Sequence, residues 1–172
     1  MSRRNSEAEN LIQHLSLIPH PEGGWFREVY RSSEMISTDS LPARFSQPHS
    51  FSTSIYYLLQ HYDFSAFHRI KSDEVWHFYL GSPVKLYILK DAELELIMLG
   101  DNPGAGHIFQ FTVPHGCWFA AEVSIPESFA LLGCTVSPGF EFSDFEMATL
   151  EDLEPEFGKY ATLIRRMTRK SL

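Results

Sequence analysis

The sequence predicts an all-β barrel or sandwich with a short helix at each end. Three observations carry that expectation. From Phe51 to Ala148 short apolar-rich runs alternate with turn signals, the spacing of a sandwich or barrel. No helical period interleaves them, so a parallel βαβ sheet is not expected. Aromatic residues are 14% of the chain, a bias toward side chains that favour strands and line ligand pockets.

The elements follow in order. Ser6-Glu7-Ala8-Glu9 has the form of a capping box, and Ala8, Leu11, Ile12 and Leu15 recur at helical spacing, which predicts a helix over about 6–16. Pro19 to Gly24 ends it. Trp25 to Ser32 alternates as a strand, with Trp25, Arg27, Val29 and Arg31 on one face and Phe26, Glu28 and Tyr30 on the other. Residues 33–50, rich in Ser, Pro and Thr, read as a loop. Strands are expected at Phe51–Gln60, Ser65–Ile70, Val75–Leu80, Val84–Leu89, Glu93–Leu99, Ile108–Val113, Cys117–Val123, Phe129–Val136 and Glu146–Ala148. After Pro155, the residues Phe157, Tyr160, Ala161, Ile164 and Met167 return to helical period, and Arg165, Arg166, Arg169 and Lys170 suit a helix C-terminus.

The chain has 172 residues, the size of one domain, and the barrel is expected over about 24–148. A net charge of −8 argues against nucleic acid or an anionic membrane as partner, since both need a basic face. Cys117 and Cys134 are far apart among apolar neighbours and read as buried, reduced thiols. The first residues, Met-Ser-Arg-Arg-Asn, lead into no apolar stretch, and no run is long enough to span a membrane, so a cytoplasmic protein is expected.

The stretch from His68 to Gly81 resembles the first cupin motif, with His68, Glu74 and Gly81 at matching positions and Ile70 where a second His is usual. Gly106 to Val123 resembles the second motif through Pro114-His115-Gly116, but Phe119 stands at the metal-His position. A firm divalent site wants three or four converging ligands. His68 and Glu74 alone would hold a metal weakly, and His77 lies on the opposite strand face. No cofactor is therefore expected beyond a weak divalent ion.

A wider set of blocks resembles a narrower family, the cupin family known as DUF985 or Cupin_5. These are Leu17 to Gly24, Arg27-Glu28-x-Tyr30-Arg31-Ser32, Ser54 to Leu59, Ser65-x-Phe67-His68-Arg69, Asp73-Glu74-x-Trp76-His77-Phe78-Tyr79, Val113-Pro114-x-Gly116-x-Trp118 and Gly133 to Phe145. The resemblance spans about residues 11–148. It implies a double-stranded β-helix, a jelly-roll barrel, commonly a homodimer, often described as a predicted sugar epimerase.

Three functional readings remain open. The first is a metal-independent isomerase or epimerase-like enzyme on a sugar derivative. In it His68, oriented by Glu74, abstracts a proton beside a carbonyl. Arg27 or Arg69 clamps an anionic group, and a tyrosine such as Tyr57 returns the proton. Trp76, Trp118 and Phe119 are candidate stacking residues. The second reading is a non-catalytic barrel that binds a small polar or anionic metabolite. The third is a metal-dependent cupin oxidoreductase, against which Ile70 and Phe119 count.

Overall fold

The computed structural model describes residues 3–169. Helix α1 (Arg3–His14) leads into β1 (Ile18–Pro19), β2 (Trp25–Arg31), β3 (Met35–Ile36), β4 (His49–Ser50) and β5 (Thr53–Gln60). Then follow β6 (Phe64–Arg69), β7 (Asp73–Gly81), β8 (Val84–Lys90), β9 (Glu93–Leu99), β10 (Gln110–Val113), β11 (Trp118–Val123), β12 (Phe129–Ser137) and β13 (Glu146–Met147). Helices α2 (Leu150–Phe157) and α3 (Ala161–Met167) follow.

Two antiparallel sheets form the body. The first has strand order β1-β2-β5-β12-β7-β10 and the second β13-β6-β11-β8-β9. Successive strands from β5 to β8 change sheets, so the chain winds around the barrel as a jelly roll, as the sequence predicts. Alternation puts Tyr57, Leu59, Trp76, Phe78, Leu86, Ile88, Phe119 and Leu132 between the sheets, where they form the main core.

The outer faces are covered by helices. Ala8, Leu11, Ile12 and Leu15 of α1 pack with Leu58, Phe129 and Leu131 on the first sheet. On the second sheet, Phe67, Tyr87, Leu89 and Trp118 meet Leu153, Phe157, Ile164 and Met167. Each helix thus spends its apolar stripe on one sheet.

Several boundaries depart from the sequence reading. Helix α1 begins at Arg3, ahead of the Ser6–Glu9 box. The C-terminal helix starts before Pro155 rather than after it, because Thr149 and Asp152 form a reciprocal capping box, and it divides into α2 and α3 through a 3₁₀ turn at Gly158–Tyr160. The expected loop 33–50 contains the β3–β4 ladder, in which Met35 pairs with Ser50 and Ile36 with His49.

Two β-bulges position the interior. Between β2 and β5, Glu28 pairs with Ile55 but Tyr30 with Ser54, leaving Val29 as the extra residue. Between β6 and β11, Phe119 pairs with His68 but Ala121 with Ser65, leaving one extra residue on β6. A bulge breaks the two-residue period and re-aims every side chain beyond it.

Candidate functional site

One end of the barrel opens into a cavity of about 670 Å³ of non-atom space, counted out to its solvent-facing mouth. Its floor and walls come from both sheets: Phe26, Glu28 and Arg31 of β2, Thr53, Ile55 and Tyr57 of β5, His68 of β6, Glu74 of β7, and Cys134 and Val136 of β12. His20 and Glu22 enter from the turn before β2, and Phe140, Glu141, Phe142 and Phe145 from the segment after β12.

The turn carrying Glu22 follows from its glycines. Gly23 and Gly24 have φ of +118° and +69°. A Cβ on Gly24 would sit 2.8 Å from the Leu58 carbonyl, and one on Gly23 2.1 Å from that of Phe64, so only glycine fits. The Tyr57 hydroxyl donates to the Gly23 carbonyl at 2.7 Å, and the Gly24 N–H donates to Asp63. This tight passage swings the Glu22 side chain into the barrel.

There Glu22 meets His68. His68 Nδ1 lies 2.7 Å from the Ala66 carbonyl, which can only accept, so Nδ1 carries a proton and Nε2 faces Glu22 Oε2 at 3.1 Å. The backbone N–H of Glu22 donates to His20 Nδ1 at 3.3 Å, and that same nitrogen is 3.4 Å from Glu22 Oε2. Ser65 Oγ donates to Glu22 Oε1 at 2.8 Å. Two imidazole nitrogens therefore lie within 3.4 Å of Oε2.

Burial sets which form each group favours. Desolvation pushes Glu22 above the ordinary carboxyl range and lowers the His68 imidazole to about 4. It also lowers His20. Burial thus disfavours the charged form of both Glu22 and His68. Burial, then the nearby Glu22, raises Glu74 to about 8. Trp76 leans its indole N–H toward Glu74, yet Trp76 Nε1 completes no hydrogen bond.

The two bulges explain which candidates reach the cavity. His68 and Ser65 face inward together only because of the extra residue on β6. Arg31 joins Phe26 and Glu28 on the cavity side because Val29 is the extra residue on β2, which corrects the expected grouping of Arg31 with Arg27. Arg31 spans Glu28 at 2.9 and 3.1 Å, Glu141 at 2.7 Å and the Phe140 carbonyl at 3.0 Å.

Of the residues singled out in the sequence, Tyr57, His68 and Glu74 line the cavity and Trp76 and Phe119 pack beneath it. The Phe119 ring lies 4.0 Å from that of His68. The pairing of His68 with Glu74 is corrected: the partner of His68 is Glu22. Arg27 lies outside the cavity and donates to the Leu15 carbonyl. Arg69 also lies outside, bidentate to Glu146 and 4.2 Å above the Trp118 ring, and Trp118 faces the C-terminal helices. All three sit on outward positions of their strands, so the geometry gives none of them a route to the interior. His20, Glu22 and Arg31 are not among the site residues the sequence predicts; their signals are their places in the family-like blocks Leu17 to Gly24 and Arg27 to Ser32 and, for Glu22, the glycine pair that follows it.

The same end of the barrel carries two of the four metal positions usual in cupins, His68 and Glu74, and the other two are the buried Ile70 and Phe119. Among the described residues no three His, Cys, Asp or Glu side chains are arranged to hold a metal ion. These residues do not fit a cupin metal centre, and no step is derived through one. Cys117 and Cys134 are buried free thiols, as expected. Among the described residues no helix is long and apolar enough to cross a membrane.

A jelly-roll barrel with a largely apolar cavity carrying a few buried polar groups at one end is the architecture of the cupin class, and it fits the binding of a small molecule. The chain belongs to the cupin superfamily family DUF985, Cupin_5, whose model matches residues 9–148. Two solved structures resemble it along nearly its whole length. A hypothetical protein from Leishmania major is 30% identical, with TM-score 0.85 over 95% of this chain and 99% of that one. Protein SO0799 from Shewanella oneidensis is 34% identical, with TM-score 0.85 over 95% and 98%. The uncharacterized protein YML079W of Saccharomyces cerevisiae is 27% identical over 157 residues, 86% of this chain and 78% of the relative.

Proposed function

We propose that the cavity binds a small hydroxylated molecule, a sugar or sugar derivative, and isomerises it by metal-independent proton transfer. The observation that carries this reading is the buried contact on the cavity wall between Glu22 Oε2 and His68 Nε2, 3.1 Å apart. Aromatic rings beside buried polar groups support a sugar as the ligand, since its C–H faces pack on rings and its hydroxyls seek partners.

Starting from a protonated Glu22 and a neutral His68, the pair has a balanced cycle available. The Glu22 proton passes to His68 Nε2, giving a carboxylate and an imidazolium. Glu22 then takes a proton from the carbon beside the substrate carbonyl. The C–H electron pair becomes a C=C bond, the carbonyl π pair moves to oxygen, and His68 gives that oxygen its proton. Glu22 is again protonated and His68 neutral, with an enediol between them. Running the steps in reverse at the neighbouring carbon gives the isomer. His68 keeps its orientation throughout because Nδ1 stays bound to Ala66.

A second reading, a barrel that binds a metabolite without turning it over, is favoured by the completeness of the same network. Ser65 already donates to one Glu22 oxygen and His68 lies against the other, as expected of a core polar pair.

Incubation with a panel of aldoses and ketoses in heavy water, followed by proton NMR, separates the two. Isomerisation predicts deuterium at the carbon beside the carbonyl, lost in Glu22→Gln while binding persists. A sugar that binds and acquires no deuterium removes the catalytic step and leaves the binding role. No binding by any of the sugars removes the sugar class.

A further inference from the structure

We propose that the molecule held in this cavity carries a protonated amine, seated against Glu74, as in an amino sugar or another small hydroxylated amine. The hydroxylated part rests on the reading above; the amine rests on observations of its own.

The first is charge. Four carboxyl groups line the cavity, Glu22, Glu28, Glu74 and Glu141, and its one lysine or arginine is Arg31. Arg31 is spent, held by Glu28, Glu141 and the Phe140 carbonyl at the mouth. A phosphate or carboxylate entering would meet carboxyl groups and no unengaged cation.

The second is Glu74 itself. It is 8% exposed, faces the cavity from β7, and has no ion-pair partner among the described residues. The neutral Trp76 N–H and Cys134 thiol are its neighbours. A buried carboxyl is costly to ionise without a cation beside it. An ammonium group supplies the missing charge directly. The proton-transfer cycle uses Glu22 and His68 and leaves Glu74 free for this role.

The third is the aromatic wall. Phe140, Phe142 and Phe145 form a mutually edge-on cluster with centroids 5.0 to 6.3 Å apart at the cavity mouth. Ring faces attract ammonium and repel anions.

Titration calorimetry of the whole protein with D-glucosamine, D-glucose, D-glucose 6-phosphate and ethanolamine tests this. Glucosamine is expected to bind roughly 10- to 30-fold tighter than glucose, the size of a desolvated cation–ring contact. Glucose 6-phosphate is expected to bind more weakly than glucose. Repeating the titration in buffers of different ionisation enthalpy counts protons. Glucosamine is expected to release up to one proton as Glu74 ionises, and glucose none. Glu74→Gln is expected to level the two affinities and abolish the release. The proton count needs the wild type alone, so the test survives if that variant does not fold. Equal affinities for the two sugars, or tighter binding of the phosphate, would overturn the amine and leave the sugar reading standing. Ethanolamine binding with proton release, and no sugar binding, would support the amine and sink the sugar. Binding of none of the four would overturn both.

Discussion

Replacing Glu74 with Gln keeps the shape of a protonated carboxyl and deletes its titration, so the pH dependence of stability should change in a defined window. The native carboxyl keeps its proton up to about 8, whereas an ordinary glutamate releases it near 4.5. Between those values the native state binds more protons than the unfolded chain, and stability falls as pH rises, by ~1.4 kcal/mol per unit. His68 runs the other way. Its imidazole is lowered from 6.5 to about 4, so the stability gained by keeping it neutral is lost as pH drops from 6.5 towards 4. The two slopes oppose each other from 4.5 to 6.5, and above 6.5 that of Glu74 is no longer offset by His68. From pH 6.5 to 8 the wild type should therefore lose about 2 kcal/mol relative to Glu74→Gln. Urea unfolding at closely spaced pH values, with unchanged m-values, measures it. Parallel curves for the two proteins would refute the idea that Glu74 is buried as a neutral acid.

Three further outcomes follow from the packing. His68→Ala removes the imidazole packed against Glu22 and should cost roughly 2 kcal/mol in thermal or chemical unfolding; a neutral result would mean that Glu22 is not held by His68. Asp144→Ala strips the buried His49 of its partner at 2.5 Å and Lys71 of its partner at 2.9 Å. It should cost about 3 kcal/mol and speed hydrogen exchange across residues 140–146, the segment that borders the cavity. Gly24→Ala forces a side chain to φ +69° and into the Leu58 carbonyl, and should destabilise by at least ~1 kcal/mol; an unchanged midpoint in urea would show that the turn has room to spare.

Much of the architecture is legible in the residues. The strand order of runs and turns from Phe51 onward, the covering helices and the burial of both cysteines all follow from periodicity and composition. So does the inward face Glu74, Trp76 and Phe78 of β7, since that strand keeps its alternation where these residues lie. Where alternation breaks, the reading of the site breaks too. Arg31 was grouped with the outward Arg27 because nothing in Phe26-Arg27-Glu28-Val29-Tyr30-Arg31 marks Val29 as a bulge; a bulge is set by the pairing of two strands, and the partner lies more than twenty residues away in the chain.

The partner of His68 is the clearest case. Glu74 lies six residues from His68 in the chain, and motif order alone made it the natural companion. Glu22, which meets the imidazole, lies 46 residues earlier and comes in on a turn. Hydrophobic period and turn chemistry are local, so they determine which segments become strands, which faces are apolar and where the chain must turn. The contacts that set a buried carboxyl against an imidazole, or give an arginine its counter-charges, join residues far apart in the chain. Those depend on register, and register is decided by the closed barrel as a whole.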